Sequence, residues 1–119
     1  MPLPYVLAAV LAVTAGGALA ENAPLPLRLD LSAPLGSASN PVRAHAPAGE
    51  REYLRRLRCA DGQPPKFERV GNLGKGPYGN VVDGYTVECP GAVPRAVVMD
   101  MYHQGYREAA PVPGFAIAP

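Results

Sequence analysis

The chain has 119 residues, a formal net charge of +1, 15 prolines, 13 glycines and no tryptophan. That length holds one small domain, and the near-neutral balance excludes a global field that would recruit nucleic acid or acidic membrane. Such a composition favours loops and short strands over long helices.

Residues 1–20 carry no charged side chain, and Ala18-Leu19-Ala20 forms an A-x-A site before Glu21. This is the pattern of a secretory signal peptide, although its first residues lack Lys or Arg and include Pro2 and Pro4. An uncleaved anchor is the alternative, but the apolar run is short for a span. No membrane span is therefore expected after cleavage. Residues 21–48 read as a Pro/Ala-rich linker arm, extended and disordered. Within it Leu25, Leu27, Leu29 and Leu31 alternate as a proline-tolerant edge strand does.

A small disulfide-bonded domain is expected over 49–119. In Glu50–Arg58 the residues Tyr53, Leu54 and Leu57 fall on one helical face. Glu50 and Glu52 are expected in the first turn and Arg55, Arg56 and Arg58 in the last, as the helix dipole favours. Glu52 and Arg56 stand at the favourable i,i+4 spacing. So short a helix needs packing to hold it.

Cys59 follows the helix and Cys89 ends a β-prone run, and in an exported protein two cysteines imply one crosslink. A metal or redox pair is the rival, but no C-x-x-C spacing or Cys/His cluster supports it. Around the cysteines, three β-prone runs between Phe67 and His103 are separated by Gly/Pro clusters. The expected fold is α+β: a short N-terminal helix on a three-stranded antiparallel β-meander, with one disulfide. The second strand places Tyr85, Val87 and Cys89 on one face. The third, from Arg95 to His103, is apolar on both faces, as a central or covered strand would be. Phe115 and Ile117 in the Pro-rich tail share a face and are expected to pack back on the sheet.

The run Gly74-Lys-Gly-Pro-Tyr-Gly79-Asn-Val81 resembles the G-x-G-x-x-G-x-V glycine loop of protein kinases. The resemblance implies a phosphate cradle between two strands, with Gly74, Gly76, Gly79 and Val81 as the matching positions. The third-strand lysine is missing, because that run is Val97-Val-Met-Asp100, and no H-R-D or D-F-G sequence occurs. A dinucleotide fingerprint fails as well, since no helix follows. The expectation is a hairpin loop.

The candidate site is Asp100, Tyr102, His103, Tyr106 and Arg107. Tyrosines with polar tips beside His and Arg suit a shallow binding surface. Nucleophilic chemistry has only His45 and His103 as imidazole bases, and neither cysteine is expected to be free. Asp100 and His103 are two ligands where a catalytic zinc needs three, so neither metal nor other cofactor is expected. The leading expectation is a non-catalytic binding module outside the cytoplasm, partnered by an envelope or secreted protein and not by nucleic acid. The alternative is a small secreted hydrolase-like enzyme using His103 with Asp100.

Overall fold

The computed structural model describes residues 28–119; the expected signal peptide (1–20) and the start of the arm (21–27) lie outside the described residues. The apolar face of one helix organises the core. Helix α1 spans Ala46–Arg56, and its Tyr53 and Leu54, with Leu57 just beyond, are buried. Burying side chains of this size stabilises by about 1.5–3 kcal/mol each. The face packs on Tyr85, Val87, Val97 and Met99 of the sheet, and Val42 and Val112 complete the cluster.

α1 starts four residues before Glu50 and ends two before Arg58. Pro47 suits the first turn, where its missing N–H costs nothing. Ala46 has φ 62°, a left-handed conformation that opposes an L side chain, and its N–H donates to the Met101 carbonyl at 2.8 Å. Because of the earlier start, Glu50 is not a first-turn residue but a fully buried mid-helix one. At the other end Leu57 turns to extended backbone and opens the short strand β2, Leu57–Arg58. Glu52 and Arg56 do pair, at 3.0 Å.

The meander is present, but it is not the whole sheet. Strands β3 (Lys66–Lys75), β4 (Val81–Glu88) and β5 (Arg95–Asp100) pair antiparallel in sequence order. A fourth strand, β1 (Val42–Arg43), lies parallel to β5 and makes the sheet mixed, in the order β1-β5-β4-β3. The three-stranded expectation is corrected on this point. β1 is two residues long and follows Pro41, so no alternation announces it. The described part of the arm is likewise tied down: the Gly36 carbonyl accepts from the Val98 N–H at 2.7 Å, and Leu35 packs against the core.

The tail returns as expected. β6 (Ala116–Ile117) pairs antiparallel with β2, and Phe115 and Ile117 pack against the core. Cys59 and Cys89 form the disulfide, 30 residues apart. Closing a loop of that size stabilises by roughly 3–4 kcal/mol on the chain-entropy account.

The glycine run is the β3–β4 hairpin connection. Gly76 N–H donates to the Asn80 carbonyl at 2.7 Å and Gly79 N–H to the Gly76 carbonyl at 3.0 Å. Gly76 must lack a side chain, because a Cβ there would collide with Val82 Cγ1. Gly79 has φ 87°, which glycine adopts freely. A tight loop folded onto its own strand results.

A candidate binding face on the sheet

Strand alternation decides which side chains meet. Asp83, Tyr85 and Val87 of β4 share the helix-facing side with Val97 and Met99 of β5, since Asp83 pairs with Met99 and Tyr85 with Val97. Asp100 therefore belongs to the opposite side, and Arg43 of β1 joins it there through the register Arg43 with Asp100. On this outer side the tight hairpin loop closes over the end of β5.

Asp100 is fully buried. Asn80 Nδ2 donates to both of its carboxylate oxygens at 3.2 Å, and the Tyr102 N–H donates to Oδ1 at 3.0 Å. His103 Nε2 lies 3.2 Å from the same Oδ1. That distance suits a hydrogen bond, but Nε2 is off its direction and makes none with a described residue. Proximity, rather than an aligned bond, joins the imidazole to the carboxylate. The Tyr78 ring meets the His103 ring edge to face at 4.6 Å.

Arg43 completes the face. Its Cζ stands 3.8 Å over the centre of the Tyr106 ring and 5.9 Å from that of Tyr78. Such cation–π stacking leaves the in-plane N–H groups of the guanidinium free for an acceptor. The ion pairs between Arg or Lys and a carboxylate among the described residues are Arg56–Glu52, Arg69–Asp83 and Arg107–Glu52, so Arg43 takes part in none. Tyr106 O–H donates to Glu108 Oε1 at 3.2 Å, and partial burial, with the Glu108 charge, pushes the phenol pKa up. Arg43, Tyr78, His103 and Tyr106 form a half-buried patch of one free cation among aromatic rings.

The expected site residues are thus divided. Asp100, His103 and Tyr106 come together on this face. Tyr102 is 57% exposed and lines a separate shallow hollow with His45, Ala46, Pro47, Met101 and Gln104. Arg107, in the segment after β5, reaches across to the helix instead, its guanidinium 2.9 Å from Glu52 Oε2. Arg43, Tyr78 and Asn80 were not among the expected site residues. Tyr78 and Asn80 lie inside the glycine loop, and Arg43 lies in the Pro-rich segment read as linker, so only the fold reveals their convergence.

A second polar cluster joins the helix to the sheet. Tyr85 O–H donates to Glu50 Oε1 at 3.0 Å, while Glu50 Oε2 is buried without a partner among the described residues. Burial first, then the neighbouring Asp83 carboxyl, push the Glu50 pKa up to about 8. Asp83, itself 4% exposed, is 2.9 Å from Arg69 Nη2, which lifts the Arg69 pKa further. Burial and the facing Glu50 also push the Tyr85 pKa up to about 12. This cluster lies between α1 and β4, with Arg69 at its exposed edge.

Among the described residues no group of three His, Cys, Asp or Glu side chains is placed to hold a metal ion. No described helix is long and apolar enough to cross a membrane. Comparison with protein-family models, with curated proteins and with solved structures finds no match.

Proposed function

We propose that the chain is an exported, non-catalytic binding module that recognises a protein partner of the envelope or the extracellular space. Its recognition surface is the outer sheet face carrying Arg43, Tyr78, His103 and Tyr106. The observation that carries this reading is Arg43, stacked on Tyr106 at 3.8 Å and in none of the ion pairs among the described residues. Arg and Tyr are the side chains that dominate binding energy at protein interfaces, because they combine apolar area with directional donors. Export is supported by the leader pattern of residues 1–20 and by the disulfide, which persists in oxidising compartments. No cofactor, nucleic acid or metal enters the reading.

The competing reading, a hydrolase using His103 with Asp100, draws on their 3.2 Å separation. Against it, Asp100 already accepts from Asn80 and the Tyr102 N–H, and His103 Nε2 is misaligned. Both cysteines are tied in the disulfide, and Thr86 lies opposite Ala96, towards the far end of β5. Affinity capture of the protein from an extract of its own cells, with mass spectrometry of what is retained, tests the proposal. A specific protein retained by the wild type and lost with Arg43→Gln supports it. Turnover of ester, phosphodiester or peptide substrates that vanishes with His103→Gln would replace it with the enzyme.

A further inference from the structure

The sheet has a second free surface at β3, the edge opposite β1. β3 ends the order β1-β5-β4-β3, and among the described residues no strand pairs with its outward side. Unpaired N–H and C=O groups on such an edge are a template for another strand. The edge is regular only over Lys66–Arg69, where the register with β4 runs unbroken. Pro65 has no N–H to give at one end. At the other, a bulge at Val70 and Gly71, with φ 144°, turns the strand aside. Lys66 pairs with Glu88 and Glu68 with Thr86, which puts both charges on the outer face; Phe67, opposite Val87, is on the helix-facing side. Lys66 and Glu68 are exposed, and neither belongs to an ion pair among the described residues.

We infer that this edge takes a second copy of the same chain, the two β3 strands pairing antiparallel about Phe67. Symmetry selects the register. Two copies joined edge to edge by a two-fold axis perpendicular to the sheet keep each face on its own side. Residues directly opposite each other must then share a face, so the register is centred on a residue and not between two. Centring it on Lys66, Glu68 or Arg69 sets that charge against its own copy, and like charges directly opposite are destabilising. Centring it on Phe67 sets Lys66 against Glu68 of the second copy, twice, and ring against ring at the axis. Val70, which is 66% exposed, then comes beside Pro64 of the second copy. Charged side chains ordinarily guard an edge against pairing, but here the two-fold register matches them. Such an isologous contact closes on itself as a dimer. Because the regular segment is short, the contact is smaller than a permanent interface, and the dimer is weak, with a Kd on the order of 0.1 mM.

Sedimentation equilibrium from about 10 μM to about 1 mM, which brackets that Kd, tests the inference together with amide NMR shifts over the same range. The wild type should pass from monomer to dimer, with concentration-dependent shifts centred on residues 65–70. Lys66→Glu and Glu68→Lys should each weaken the dimer about tenfold or more, since either change turns both attractive contacts into repulsions. An equimolar mixture of the two variants should pair about as tightly as the wild type, because opposite charges then meet again at both contacts. Both positions are exposed, so the variants should fold; the wild-type shift map decides even if one does not. A wild type that stays monomeric throughout, or shifts centred on Arg43 and Tyr106 instead, overturns the inference. So do single variants as dimeric as the wild type, or a mixture no tighter than its components.

Discussion

Glu50 gives the sharpest quantitative expectation. Its carboxyl is fully buried between helix and sheet, and its pKa rises from an ordinary 4.5 to about 8. The groups facing it are Tyr85 and Asp83 of β4 and, beyond Asp83, Arg69 of β3. The Arg51 charge of its own helix also acts on Tyr85. A raised pKa means that the folded state holds a proton which the unfolded state has already lost. Between pH 4.5 and about 8 the native protein therefore binds more protons, and stability falls as pH rises through that window. The slope is about 1.4 kcal/mol per pH unit at most, so neutrality lies about 3.5 kcal/mol below the acidic plateau as a ceiling. Water entry and relaxation around Glu50 reduce this to about 2 kcal/mol. Glu50→Gln keeps the shape and an acceptor for Tyr85 but cannot lose the proton. It should match the wild type near pH 4.5 and exceed it by about 2 kcal/mol near pH 7, the gap widening towards pH 8. Urea unfolding followed by circular dichroism, with the disulfide intact, measures both pH series. A wild-type stability that is flat across this window, or a Gln variant equally destabilised at every pH, would refute the reasoning.

Replacing Cys59 and Cys89 with Ala should cost roughly 3–4 kcal/mol in the same unfolding assay, and a loss under about 1 kcal/mol would contradict a loop-closure role. Ala46→Gly should raise the melting temperature, since φ 62° costs an alanine about 1–2 kcal/mol that glycine is spared. Helix propensity opposes this weakly so near the helix start, and a fall in melting temperature would mean that the conformation carries no strain. Lys75→Ala should leave stability within about 0.5 kcal/mol, because Lys75 is exposed at the end of β3. ATP should give no thermal shift with the wild type, and a saturable shift would reopen the phosphate-cradle reading of the glycine loop.

How much of this was legible in the sequence depends on how local each signal is. The apolar spacing of Tyr53, Leu54 and Leu57 identifies the buried face of α1, because neighbours on a helix are near in sequence. The Gly/Pro clusters identify the hairpin breaks, and the apolar run Ala96–Met99 marks β5 as a central strand, which its place between β1 and β4 matches, although Ala96 is exposed and Val98 half-buried on the outer face. Phe115 and Ile117 similarly announce the returning tail. β1 is different. Two residues after a proline have no period to read, and Val42 is recognised as core only once Met99 lies beside it. Glu50 reads as a surface residue by type, since nothing in its neighbourhood foretells Tyr85 thirty-five positions away. The site divides on the same principle. Asp100 and His103 are three residues apart and stay together, whereas Tyr102 turns to a different hollow at the strand end. Arg43, Tyr78 and Asn80 reach the face by tertiary pairing alone.

The claim that the outer sheet face is a recognition surface is tested most directly by capturing partner and measuring unfolding on the same two variants, Tyr106→Leu and His103→Gln. Leucine keeps apolar bulk but removes the ring beneath Arg43, a cation–π contact worth about 0.5–1 kcal/mol at a partly exposed site. His103→Gln keeps a polar group beside Asp100. The expected result is partner recovery reduced at least about tenfold in each variant, with unfolding free energies within about 1 kcal/mol of the wild type. Full recovery by both folded variants, or losses of recovery that merely follow losses of stability, would contradict it.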